Sequence, residues 1–150
     1  MGEKKVTGQN DTIFKAEPPL VYLNDMSMML ITDLTFIETL APLAGVMLTQ
    51  KAPFTGRITE VTMQFPRGCN NLVEIVFGLR RGGSYISVLP YNGLETGTFI
   101  ALEDAIKSFR VNVPVELDEE VFVQISNTDG AWPHTPSVIV EIEADEVPIL

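Results

Sequence analysis

The chain has 150 residues, of which 45% are hydrophobic and 20% charged, and its formal net charge is −10. These values are typical of one folded domain with its own core. The acidic surface would repel phosphate, which excludes nucleic-acid binding and adhesion to anionic lipid as main functions. The single cysteine, Cys69, excludes a disulfide framework within the chain and a zinc site of four cysteines.

Residues 1–19 are polar, end in two prolines and lack a sustained apolar period. We interpret them as an extended N-terminal arm, followed by a single β-sandwich domain over residues 20–150. Such arms either stay flexible or become ordered on a neighbouring subunit, and the apolar pair Ile13 and Phe14 could dock there. The start of the chain has no apolar signal region, and no apolar run is long enough to span a bilayer. We therefore expect synthesis in a cytoplasm, no signal-peptide secretion and no membrane partner.

Two interpretations stay open for residues 20–51. The segment NDMSMMLITDLTFIETL could form an amphipathic helix beginning at Asn24 or Asp25. It could also form two short strands, because threonine and isoleucine favour extended backbone. The flanking segment APLAGVMLTQKAPF is interrupted by prolines and a glycine, which favours strands.

From residue 57 onward, apolar residues recur at every second position. This period is typical of antiparallel strands with one face on a core. The predicted inward faces are Val61, Met63 and Phe65; Val73, Ile75, Phe77 and Leu79; Phe109, Val111, Val113 and Val115; Val121, Val123 and Ile125; and Val138, Val140 and Ile142. The chain is therefore predicted to be all-β, an antiparallel β-sandwich, with jelly-roll and immunoglobulin-like strand orders both open.

Local features refine this prediction. Gly82 and Gly83 supply the positive φ of a hairpin tip. Pro114 cannot donate to a strand ladder, which predicts an edge strand or a bulge. Only ALEDAIK, residues 101–107, resembles a short helix.

No motif of an enzyme accompanies these strands. A nucleophilic triad needs a histidine base, and the only histidine is His134, placed between a proline and a threonine. One histidine also cannot form a histidine metal site within a chain. We therefore expect a protein without catalytic residues, metal or cofactor.

Besides the arm with Ile13 and Phe14, the candidate interaction residues fall in two places. Asn127, Asp129, Trp132 and His134 lie in or beside the loop of residues 127–136. Oxygen atoms of this loop could bind Ca²⁺, and Trp132 could stack on a sugar or lie in a subunit contact. Alternatively, NTDG only provides residues that tolerate left-handed backbone in a tight turn. Elsewhere, the hairpin tip should expose Arg80 and Arg81, which could dock an acidic neighbour or simply be solvated.

Two stretches carry a family resemblance: APFTGRITEVTMQFPRGCNNLVEIVFGLR, residues 52–80, and VNVPVELDEEVFVQISNTDG, residues 111–130. They resemble small jelly-roll accessory proteins, the cement or decoration proteins of tailed-phage and archaeal virus particles. The shared features are a P-F-x-G-x-I strand start, a P-x-G turn, and a late apolar strand followed by N-T-D, a loop and a final strand. The resemblance implies a trimer or other symmetric homo-oligomer fixed to a shell by its arm, with no catalytic residues.

We therefore expect a structural protein of the virion, whose partners are copies of itself and a capsid or other virion structural protein. The alternative is a carbohydrate- or Ca²⁺-binding β-sandwich module that uses the loop of residues 127–136.

Overall fold

A computed structural model describes residues 20–22, 27–91, 93–145 and 147–148. These residues form ten strands and one helical turn. The elements are β1 (Leu20–Tyr22), β2 (Ser27–Ile37), β3 (Gly45–Lys51), β4 (Gly56–Phe65), β5 (Val73–Arg81), β6 (Ser84–Leu89), α1 (Gly93–Thr96), β7 (Ala105–Val115), β8 (Glu120–Asn127), β9 (Ser137–Ala144) and β10 (Val147–Pro148). The expected arm with Ile13 and Phe14 lies outside the described residues, as does the helix start expected at Asn24 or Asp25.

The strands form two antiparallel sheets, which confirms the predicted β-sandwich. The six-stranded sheet has the order β1-β2-β9-β4-β7, with β10 also pairing with β2. The four-stranded sheet has the order β3-β8-β5-β6. The side chains that alternate inward from both sheets form one continuous core, which contains the inward faces predicted from the sequence.

The strand pairs are nested along the chain. β2 pairs with β9, β3 with β8, β4 with β7, and β5 with β6. The chain is therefore a long antiparallel double strand that is wound between two sheets, with the β5–β6 hairpin as its innermost turn. The glycines Gly82 and Gly83 form that turn with φ of 56° and 82°, as predicted.

This winding collects the loops at two ends of the sandwich. The β2–β3, β4–β5 and β8–β9 loops are joined by backbone hydrogen bonds at one end, called here the histidine end. The β3–β4, β5–β6 and β7–β8 loops meet at the other, called here the arginine end. Since β8 connects the two and has eight residues, the ends are about 25 Å apart.

Two segments show how strand pairing decides local structure. Residues 27–37 form a single strand, β2, so the helical interpretation of this part is wrong. The helix predicted for residues 101–107 is also wrong, because β7 begins at Ala105 and pairs with Phe65 of β4. Long-range pairing outweighs the weak helical preference of a seven-residue segment. The edge strand predicted from Pro114 is confirmed, since β7 is the last strand of its sheet.

Cys69 packs in the core, where its thiol donates to the carbonyl oxygens of Pro66 at 3.0 Å and Leu102 at 3.2 Å. Burial raises the pKa of the thiol, and the nearby Glu103 carboxylate adds to this rise. The thiol is thus held in its less reactive, protonated form. Within the part of the chain that the structure describes, no helix is long and apolar enough to cross a membrane.

Candidate interaction site at the histidine end

The β2–β3 and β8–β9 loops are held together as one rigid unit. The backbone N–H of Leu40 donates to the carbonyl of His134 at 2.9 Å, and the N–H of His134 donates back to Leu40 at 3.1 Å. The N–H of Leu43 donates to the carbonyl of Asp129 at 3.2 Å. The hydroxyls of Thr39 and Thr135 also lie 2.8 Å apart. The loop of the predicted site therefore has a fixed backbone, set by a second loop that sequence reasoning did not connect with it.

The side chain of Asn127, the last residue of β8, joins the β2–β3 and β8–β9 loops. Its side-chain Nδ2 lies 3.2 Å from the carbonyl oxygens of Leu40 and Ala41 and 3.0 Å from that of Trp132. Its Oδ1 accepts a hydrogen bond from the N–H of Asp129 at 3.0 Å. Because the side chain is buried, these bonds replace water at four backbone groups.

Asp129 organises the other half of the loop. Its Oδ1 accepts hydrogen bonds from the N–H groups of Ala131 at 2.8 Å and Trp132 at 3.3 Å, and its Oδ2 lies 2.9 Å from Nε2 of His134. The hydrogen bond with His134, and next the one from Ala131, hold the pKa of Asp129 below its ordinary value of 3.8, although burial acts in the opposite direction. The carboxylate thus stabilises the loop in its charged form.

These contacts bear on two functions considered for the loop of residues 127–136, Ca²⁺ binding and a tight turn with left-handed backbone. Asn127, Asp129 and His134 are buried, and their side chains bond to the loop itself. The turn does not use left-handed backbone at NTDG, since none of residues 127–130 has a positive φ. Side-chain hydrogen bonds to the backbone make the turn instead. Among the described residues, no group of three or more histidines, cysteines, aspartates or glutamates could hold a metal ion.

Two large apolar side chains are exposed on the β2–β3 and β8–β9 loops. Trp132 is 68% exposed and Leu43 is 75% exposed. Leu43 also has a φ of 61°, a left-handed conformation that is unfavourable for a leucine. A strained, exposed leucine beside an exposed tryptophan on a fixed backbone is suited to contact with another molecule. The sequence gives no sign of Leu43, because its position depends on the pairing of two distant loops.

Arg80 and Arg81 lie at the arginine end, so the structure does not bring them together with Trp132. Nη1 of Arg80 is 3.4 Å from a carboxylate oxygen of Glu120, and the guanidinium lies 5.3 Å from the ring centre of Tyr85. Arg81 is paired with Glu119, and this hydrogen bond raises the pKa of the guanidinium. Both arginines are partly exposed but already have acidic partners within the chain.

A crevice of about 170 Å³ lies on the outer face of the four-stranded sheet, under the connection that contains α1. Val76 and Gln124 form part of its floor, and Leu94 and Phe99 form part of its wall. The Oε1 atom of Gln124 is buried there without a hydrogen-bond partner among the described residues. Sequence reasoning missed this feature, because its floor and wall meet only in the fold.

The lowered pKa of Asp129 makes a testable prediction about acid stability. The folded-state pKa lies below the unfolded-state value, so the stabilisation by the carboxylate is present above about pH 4 and is lost as the pH falls further. We expect the Asp129→Asn variant to be less stable than the wild type at pH 5.5, and the difference in unfolding free energy to shrink toward pH 2.5. The slope of that difference against pH should correspond to about one proton or less. Urea unfolding at successive pH values measures both quantities. Asp33→Asn, at an exposed position of β2, is the control, and a difference that does not change with pH would contradict the prediction.

No family model matches the sequence, and no curated protein matches it. Among solved structures, the fold is similar to the major capsid protein P2 from bacteriophage PM2, with a TM-score of 0.46 and 14% sequence identity. The alignment covers 77% of this chain and 45% of that protein, so the chain spans less than half of its length.

Proposed function

We propose that the chain is a non-enzymatic structural protein of a virus particle, an accessory protein of the cement or decoration type. It assembles with copies of itself and binds a capsid or other structural protein of the shell. The observation that carries the proposal is the nested strand order β2–β9, β3–β8, β4–β7 and β5–β6. This nested order supports a jelly roll, an architecture used by viral capsid domains and also by lectins and cupins.

The histidine end supports a contact function in preference to catalysis. Asp129 and His134 would be the obvious acid–base pair, but both are buried and their polar atoms hold the loop together. The side chains of Trp132 and Leu43, by contrast, are apolar and exposed. Aromatic side chains on a fixed backbone are typical of the few residues that dominate a protein–protein interface.

The direct test is the composition of virus particles. Particles purified by density gradient from the source of the gene are expected to carry the chain in a fixed ratio to the main shell protein, measured by quantitative mass spectrometry. Recovery of the chain only in the particle-free fractions would contradict the proposal.

The contact surface can be tested on the same particles. Trp132→Ala and Leu43→Ala are each expected to lower occupancy of the shell at least about tenfold, since hot-spot residues contribute about 2 kcal/mol or more. Leu117→Ala, which alters an exposed leucine at the arginine end, is the matched control and should leave occupancy unchanged. Equal losses in all three variants would rule out the histidine end as the attachment surface.

The exposed indole of Trp132 also favours a second candidate, a carbohydrate-binding module. A Ca²⁺ site built from Asn127 and Asp129 is disfavoured, since their side-chain oxygens already accept backbone hydrogen bonds. A glycan array separates the two candidates. Binding of a defined glycan that is lost in Trp132→Ala would favour the module, whereas an array without hits would favour the virion protein.

A further inference from the structure

The outer face of the six-stranded sheet is divided into an uncharged and a charged half. In the half nearer the histidine end, Ile37, Ser137, Gln64 and Ile106 form one row across four strands. The next row contains Thr35, Ile139, Thr62 and Ser108. These eight side chains are called here the uncharged half. They are free of charge in a chain whose net charge is −10.

The apolar members of the uncharged half are well exposed. Ile37 is 58% exposed, Ile106 is 70% exposed, and Ile139, on a central strand, is 39% exposed. Ile37 and Ile139 lie on neighbouring strands and Ile106 lies across the same face, and water solvates such exposed aliphatic side chains poorly. Removing this surface from water would therefore favour a contact with another molecule.

Four of the five polar members of the uncharged half have a hydrogen-bond partner within it. The hydroxyl of Ser137 donates to Oε1 of Gln64 at 3.1 Å. The hydroxyls of Thr62 and Ser108 lie 2.9 Å apart, close enough for one to donate to the other. Because these groups bond to each other along the sheet surface, covering them leaves fewer polar atoms without a partner. The free-energy cost of removing water from this half is correspondingly low.

The other half of the same face is acidic. Asp33, Glu141, Glu60 and Arg110 form the next row across the four strands. In the row beyond them, Glu143 of β9 lies opposite Arg57 of β4. Nη1 of Arg57 donates a hydrogen bond to Oδ1 of Asn112 at 2.6 Å. Four acidic side chains against two arginines leave a net negative charge on this half. Two copies of an acidic chain repel each other at the acidic half, whereas on the uncharged half a second copy meets no like charge.

We infer that the uncharged half is the surface through which two copies of this chain meet. A twofold axis that lies parallel to the sheet face and runs across the strands would stack the two uncharged halves and direct the acidic halves to opposite sides, which keeps like charges apart. The inference rests on the proposed function, which includes self-assembly, and it names the surface that assembly uses. Two residue rows across four strands cover about 250–300 Å² per copy, well under the roughly 800 Å² of a stable interface. The contact is therefore weak, and its occupancy depends on protein concentration.

Sedimentation analysis of the purified chain over a range of concentrations tests this contact. The wild type is expected to show a concentration-dependent dimer. Ile37→Glu and Ile139→Glu place two negative charges against each other across the axis and should raise the dissociation constant at least about tenfold. Ile86→Glu changes an isoleucine that is 47% exposed on the other sheet, and it should leave the constant unchanged.

Site-specific cross-linking keeps the test valid if a glutamate variant fails to fold. Ile139→Cys lies near the proposed axis and should form dimers with a short bismaleimide reagent, whereas Ile86→Cys should not. The native Cys69 is buried, so it competes little for the reagent. A wild type that is monomeric throughout would overturn both this contact and self-assembly in solution. Oligomers that resist both glutamate variants, or that cross-link equally through position 86, would overturn the contact alone.

Discussion

The Gly78→Ala variant is expected to be less stable than the wild type by about 3 kcal/mol, because the side chain it adds has no room. An alanine Cβ at this position would lie 2.1 Å from the backbone oxygen of Ile86 and 2.7 Å from the ring of Phe122. The oxygen belongs to the neighbouring strand β6, and the ring is fully buried against the edge of Tyr85, with ring centres 5.1 Å apart. Accommodating the methyl group requires both to move, which disturbs the β5–β6 pairing and the packing on the outer face.

Gly130→Ala is the matched control for this prediction. A Cβ at Gly130 would meet nothing within 4 Å, and its φ is not in the left-handed region, so stability should change by less than about 0.5 kcal/mol. Urea unfolding followed by circular dichroism measures both variants. Equal midpoints for Gly78→Ala and the wild type would show that the sheet accommodates a methyl group where the structure places backbone and ring.

Asn127→Ala should have the second large effect, a loss of about 3 kcal/mol or more, because it removes hydrogen bonds from several buried backbone groups at once. The carbonyls of Leu40, Ala41 and Trp132 lose the Asn127 amide, and the N–H of Asp129 loses its acceptor. Water cannot easily replace these bonds at a buried position. The β2–β3 and β8–β9 loops should also separate more readily, and proteolysis within residues 128–136 would detect that opening.

The adjacent variant Thr128→Ala is the control. It removes one exposed hydroxyl that donates to the carbonyl of Leu72 at 2.8 Å, while the backbone N–H of the same residue still donates there. Its expected cost is about 0.5–1 kcal/mol. If the two variants had similar unfolding free energies, the side chain of Asn127 would not be what joins the two loops.

The sequence predicted the strands well wherever apolar residues alternate, because a two-residue period reports directly on which face meets the core. It did not predict β2 with certainty, since SMMLITDLTFI combines helix-favouring methionines and leucines with strand-favouring threonines and isoleucines. Seven residue pairs between β2 and β9 decide the outcome, and that partner lies about a hundred residues further along the chain. A local pattern cannot contain such information.

For the candidate site, the sequence identified the segment but not the roles of its residues. The cluster of Asn127, Asp129, Trp132 and His134 does form one structural unit. Which members would be buried depends on the β2–β3 loop, whose position relative to the cluster is set by the strand order. The uncharged half of the six-stranded sheet was also unpredictable, because its members come from four strands and adjoin each other only through the register of three strand pairs.

The pairing of β2 with β9 places the start of β2 and the end of β9 on one side of the domain. Ile31 lies opposite Glu143 and Ile37 opposite Ser137, so β2 begins and β9 ends on the same side of the sandwich. That side is the arginine end, where the N–H of Asp145 donates to the carbonyl of Thr55 at 3.3 Å. Trp132 and Leu43 lie at the far end of the same strands. A bulky group attached at the start of β2 or at the end of β9 would therefore lie opposite these two residues and should leave the histidine end open to a partner.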